Sequence, residues 1–146
     1  MSTRRLSKAD FETLANFRYR LRRFLRFSEE VTRRHGVTPL QYQLMLQLKG
    51  FPGRDWASVS ELAERLQAKH HGVVALVSRC EAAGWVTRRM STDDQRRVEV
   101  RLSAAGLRCL EHLARLHRDE LLSVAGGFVV PGLDGAGAAR SVVPPR

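Results

Sequence analysis

The chain has 146 residues, the size of a single domain, and 43% of them are hydrophobic, enough for a core. Lys and Arg number 25 against 15 Asp and Glu, and the formal net charge of +10 favours a polyanionic partner, either nucleic acid or an acidic membrane surface. No apolar run is long enough for a membrane span, no secretory signal is visible, and two cysteines inside helical patterns give no disulfide framework, so a cytoplasmic protein with no membrane partner is expected.

Residues 7–35 read as one long helix. Ser7 and Asp10 resemble an N-terminal cap, and Phe11, Leu14, Phe17, Leu21, Phe24, Leu25 and Val31 recur at helical spacing. Gly36 ends it. The segment TPLQYQLMLQLKG opens a second helix, with Thr38 as N-cap, Pro39 at the first helical position and Gln41 closing a capping box. Leu40, Leu44, Met45 and Leu48 are expected to face inward. Ser58 and Glu61 repeat the capping box in SVSELAERLQ, a short helix with Leu62, Ala63 and Leu66 as its apolar stripe. A fourth helix starts near Lys69 or His70 and ends at Gly84, a natural left-handed cap.

From Trp85 the period changes to that of strands, over roughly 85–90 and 97–102. Val98, Val100 and Leu102 alternate with Glu99 and Arg101, the pattern of a half-exposed strand. The polar STDDQ forms the hairpin tip. Ser103 caps a fifth helix whose apolar positions are Leu107, Leu110, Leu113, Ala114, Leu116 and Leu121. After Ala125, Gly and Pro leave little room for a regular helix, and residues 126–146 are expected to be a disordered tail.

The fourth helix carries the functional reading. Val73, Leu76, Val77 and Cys80 are spaced i, i+3, i+4, i+7 and form its buried stripe. His70, His71, Val74, Ala75 and Ser78 then face outward, with Arg79 at the edge. A free face of His, Ser and small apolar groups suits a DNA major groove, where histidine can reach acceptors and Val74 or Ala75 a thymine methyl. The competing reading makes the two histidines ordinary solvated residues. Lys69 stands where a Ser or Thr cap is expected, and a phosphate held there would remove the conflict of a cation at a positive helix end. Metal binding by His70 and His71 is not expected, because adjacent helical residues point about 100° apart. No nucleophile–base–orienter set suggests an enzyme, and no catalytic residue or cofactor is expected.

The order of these blocks resembles one family. TPLQYQLM, SVSELAERL, HHGVVALVSRCEAAGWV, DDQRRVEVRLSAAG and CLEHLARLHRDEL, at these distances, look like the MarR family of bacterial transcription regulators. The resemblance covers about residues 8–123 and implies a mainly α fold with a small β-hairpin wing, a winged helix-turn-helix flanked by dimerisation helices. It implies a dimerisation helix at 7–35, a DNA-binding region at 36–103 and a second dimerisation helix at 104–125. It makes 69–83 the recognition helix and 87–101 the wing. Asp94 and Arg96 fit the family's Asp-x-Arg wing tip, where the carboxylate would hold the guanidinium for a minor groove, and Arg88, Arg89 and Arg97 become phosphate contacts. Implied partners are double-stranded DNA, a second copy of the chain and a small aromatic or anionic effector. The implied function is a ligand-responsive repressor on a palindromic operator. An architectural DNA-binding protein and a basic protein-interaction module are the alternatives.

Two departures stand out. The family's further C-terminal helix is replaced by the Gly/Pro-rich tail, and the reactive cysteine of its oxidation-sensing members is missing from the N-terminal helix. Cys80 is expected in the core. Trp56 and Phe51 could line an effector pocket or simply pack.

Overall fold

The structure, a computed structural model, describes residues 4–94 and 96–123. The expected tail at 126–146 lies outside them. The elements in chain order are α1 (Lys8–Arg34), α2 (Pro39–Lys49), β1 (Trp56–Ala57), α3 (Val59–Leu66), α4 (His70–Ala82), β2 (Val86–Met90), β3 (Val98–Leu102) and α5 (Ala104–Leu122). Contacts divide the described residues into two compact units, residues 4–30 with 116–123, and residues 31–115.

In the first unit, Ser7 caps α1 as expected. The Ser7 Oγ accepts from the Asp10 N–H at 3.1 Å, and Asp10 Oδ2 accepts from the Ser7 N–H at 2.8 Å. Those bonds to Ser7, aided by Arg4, hold the Asp10 carboxyl below its usual pKa. Phe11, Leu14 and Leu25 remain 55%, 57% and 47% exposed along α1. Further along, the buried His117 meets Ser28 Oγ at 2.8 Å and touches the edges of Phe24 and Phe27.

In the second unit, both predicted capping boxes form. The Thr38 and Ser58 hydroxyls each accept the backbone N–H three residues on, while Gln41 and Glu61 reach back to the cap N–H. Each satisfies two otherwise orphaned donors, so these helix starts are fixed by local chemistry alone. The core gathers Leu44, Leu48, Leu62, Val73, Val77 and Val100. Leu40 does not join it and is 50% exposed. Each step of four residues turns the helix by about −40°, so two steps from Leu48 carry Leu40 roughly 80° round and out of the stripe.

The turn from α3 to α4 passes through Gln67 at φ 51°, a left-handed conformation without glycine. α4 ends as predicted: Gly84 adopts φ 84°, and Trp85 N–H donates to Cys80 O at 2.9 Å while Gly84 N–H donates to Glu81 O at 3.0 Å.

The sheet has three strands in the order β1-β3-β2, all antiparallel, rather than the expected lone hairpin. β1 pairs Trp56 with Arg101 and Ala57 with Val100, making β3 the central strand. This corrects the half-exposed reading of β3. Glu99 is only 7% exposed, ion-paired with Arg101 at 2.9 Å and Arg97 at 3.7 Å.

The sheet hands over to α5 through Ser103. Its N–H donates to Trp85 O, its hydroxyl donates to Gly84 O at 2.6 Å, and its Oγ accepts the Gly106 N–H at 2.9 Å. Gly106 is buried there. A Cβ at this position would lie 2.0 Å from Trp85 O and 2.9 Å from Trp85 C, both backbone atoms. Gly106→Ala should therefore destabilise the fold by about 1–3 kcal/mol in urea unfolding, the cost of overpacking. Intrinsic helix propensity alone would favour Ala by roughly 1 kcal/mol, so the sign of the change discriminates.

Candidate nucleic-acid interface

α3, the Gln67 turn and α4 form a helix-turn-helix, with β2 and β3 beside it as the wing. Val73, Leu76, Val77 and Cys80 are all buried, as the spacing predicted. His70, His71, Val74, Ala75 and Arg79 are exposed and Ser78 is half-buried. The structure thus brings these six sequence-predicted residues onto one face of α4. Glu81 is the only carboxylate in α4, and it is taken. Its Oε1 accepts from Arg88 Nη2 at 3.1 Å and its Oε2 from the Arg88 backbone N–H at 3.0 Å. These bonds, the side-chain one first, hold the Glu81 carboxyl below its usual pKa.

Lys69 is the N-cap of α4, with extended backbone and no side-chain cap bond. The first amides of α4 therefore lack the capping oxygen that α2 and α3 possess, and the helix end keeps its affinity for an anion.

The wing tip is built around Ser91, which is buried. Its Oγ accepts from the Asp93 and Asp94 N–H groups and from Arg97 Nη2. Asp94 Oδ1 accepts the Arg96 backbone N–H at 3.0 Å, and Asp94 O accepts the Arg97 N–H at 3.0 Å. Asp94 thus shapes the turn that presents Arg96 through the backbone, where the sequence suggested a bond to the guanidinium. Arg89 and Arg96 are exposed. Arg88 and Arg97 carry internal partners: Glu81 for the first, Ser91, Glu99 and the face of Trp56 at 4.6 Å for the second.

Sequence reasoning missed how the wing is anchored. Arg54 also lies over Trp56, 3.8 Å from its ring centroid, as well as over Phe51 at 4.4 Å, and it pairs with Glu61. Trp56 and Phe51 are packing residues of this cluster. It also missed Ser58 and Ser60, which share a cleft of about 440 Å³ with His70, Asp94, Arg96 and Arg97. The capping-box spacing had flagged Ser58 only as a cap; nothing local flagged Ser60. The cleft brings the start of α4 and the wing tip together, the two regions singled out from opposite ends of the motif.

Burial pushes the Cys80 thiol up to about 11 and raises that of Cys109 as well, so neither is thiolate-rich near neutrality.

Residues 35–97 match the model of the MarR family, the stretch that spans α2 to the wing tip. The chain has the MarR fold. AbsC, a MarR family transcriptional regulator from Streptomyces coelicolor, superposes with a TM-score of 0.69 at 22% identity, covering 82% of this chain and 80% of that one. A MarR family protein from Bacillus stearothermophilus gives 0.69 at 21% identity, covering 80% of each chain. Escherichia coli MarR C80S complexed with operator DNA gives 0.60 at 18% identity, covering 77% of this chain and 79% of that one. No curated protein matches the sequence.

Proposed function

We propose that this protein is a sequence-specific regulator of transcription that binds double-stranded DNA as a homodimer. The observation that carries the reading is the exposed face of α4: His70, His71, Val74, Ala75, Ser78 and Arg79 without an available carboxylate. A merely solvated helix face would carry Lys and Glu. This one offers donors and small apolar groups to base edges, the chemistry of major-groove readout. Lys69 and the bare α4 amides then bind a phosphate, and Arg89 and Arg96 of the wing face the neighbouring groove and backbone. The relative bound to operator DNA supports the same docking by its fold.

The dimer reading rests on α1, whose Phe11, Leu14 and Leu25 expose a stripe of apolar surface that water disfavours. The helices α1 and α5 are the proposed dimerisation helices, and a two-fold pair reads a palindrome with recognition helices about 34 Å apart. A small aromatic or anionic effector has a candidate seat, a cavity of about 200 Å³ beside Lys49, Asp55, Arg101 and Leu107, where Lys49 pairs with Asp55 at 3.6 Å and Arg101 with Glu99 at 2.9 Å. An effector that prefers the non-binding state would release DNA, which makes the protein a ligand-responsive repressor. No helix among the described residues is long and apolar enough to cross a membrane. We place the protein in the cytoplasm and assign it no catalytic role.

Selection of bound fragments from random duplex DNA tests the reading. A recovered two-fold symmetric motif supports it; unselected DNA after several rounds would favour the architectural alternative. Arg96→Ala should weaken binding to the selected site by roughly 1–3 kcal/mol in an anisotropy titration, and Asp94→Ala by less, through a looser turn. The +10 charge also predicts a steep salt response, with log K falling by about 0.9 per phosphate contact for each unit of log salt.

A further inference from the structure

Two histidines far apart in sequence meet within the unit of residues 31–115. His35 follows α1 and His112 lies in α5, and their Nε2 atoms are 3.0 Å apart. The ring centroids are 4.8 Å apart and the planes inclined by 60°. His35 Nδ1 lies 2.8 Å from the Val31 carbonyl oxygen. A carbonyl only accepts, so Nδ1 carries the hydrogen and the Nε2 of a neutral His35 is a lone pair directed at His112. The same contact is what a metal-ligating imidazole needs from its surroundings: its other N–H held by a carbonyl, fixing tautomer and ring orientation.

We propose that His35 and His112 together bind a divalent transition-metal ion through their Nε2 atoms. At metal–nitrogen lengths of about 2.0–2.1 Å, two cis ligands stand roughly 2.9–3.4 Å apart, so the observed spacing needs only a small turn of each ring. On binding, the proton that His112 Nε2 shares with His35 is lost to solvent while His112 Nδ1 takes one up, so His112 stays a neutral imidazole and supplies its Nε2 lone pair to the ion. Two imidazoles select copper, zinc or nickel over magnesium or calcium. Among the described residues no third His, Cys, Asp or Glu completes a group of three, and both rings are exposed, so water fills the remaining positions. The contrast with His70 and His71 is geometric: those are neighbours in sequence on one helix and diverge, whereas these converge from separate segments. The ion ties the end of α1 to α5, and it weakens as pH falls because protons compete for the same lone pairs. The site is independent of the DNA-binding reading.

The test uses full-length, tag-free protein treated with chelator and titrated with Cu(II) or Zn(II) alone. One equivalent of Cu(II) per chain is expected, with electron paramagnetic resonance showing two nitrogen ligands and with a raised Tm. His35→Gln and His112→Gln should each lose one nitrogen and weaken binding at least about tenfold, comparable to or beyond the cost of losing an outer partner. A His70→Gln/His71→Gln variant should bind like the wild type. Without any variant, Zn(II) should protect His35 and His112 from diethylpyrocarbonate, read by mass spectrometry. No saturable binding, binding that survives loss of either histidine, half an equivalent shared between two copies, or protection of His70 and His71 instead would overturn the proposal.

Discussion

Leu76→Ala destabilises the protein by about 2–5 kcal/mol, the range for emptying a packed leucine site. Leu76 is 4% exposed and sits among Val73, Val77 and Leu62 in the core that α4 shares with α3. Its neighbours are held by capped helices and a three-stranded sheet, so they collapse only partly into the space left behind. The change is read as a lower urea midpoint with an unaltered slope. Because Leu76 points away from the exposed face, the molecules that remain folded should select the same DNA motif as the wild type. A midpoint within experimental scatter of the wild type would show that α4 does not pack as described.

Val74→Glu does the reverse. Val74 lies two positions away yet is 38% exposed, on the face whose only carboxylate, Glu81, is held by Arg88. A glutamate there is tolerated by the fold, since surface changes are usually within about 0.5 kcal/mol. Against DNA it sets a negative charge beside phosphates and base acceptors, and such like-charge contact costs several kcal/mol. Binding to the selected duplex should fall at least about 100-fold, or roughly 2.7 kcal/mol, with an unchanged circular dichroism spectrum. Full affinity in this variant would show that α4 presents another face, or none, to DNA.

These two residues also mark what the sequence reveals. The stripe of Val73, Leu76, Val77 and Cys80, the caps at Ser7, Thr38 and Ser58, and the stop at Gly84 are all local. Each is settled by residues within one or two turns, and each stands in the structure. The resemblance carried by the ordered blocks anticipated the winged helix, and residues 35–97 match the MarR model. What stayed hidden depends on partners distant in the chain. β1 is only two residues long and is defined by pairing with β3, more than forty positions away. Without it, Glu99 reads as solvated. Trp56 is placed by Arg54 beside it and Arg97 from the wing, and no periodicity records that. The Asp94–Arg96 pair was legible as a motif, but its geometry was not, because the carboxylate engages a backbone N–H. His35 and His112 are separated by 77 positions and carry no spacing signal at all.

Whether the face of α4 reads base sequence is decided by titrating wild-type protein against its selected duplex and a scrambled one at the same physiological salt. The selected site should be bound at least about 1,000-fold more tightly, the lower bound typical of sequence-specific regulators. A ratio near unity would contradict that reading and leave a basic protein that binds DNA by charge alone.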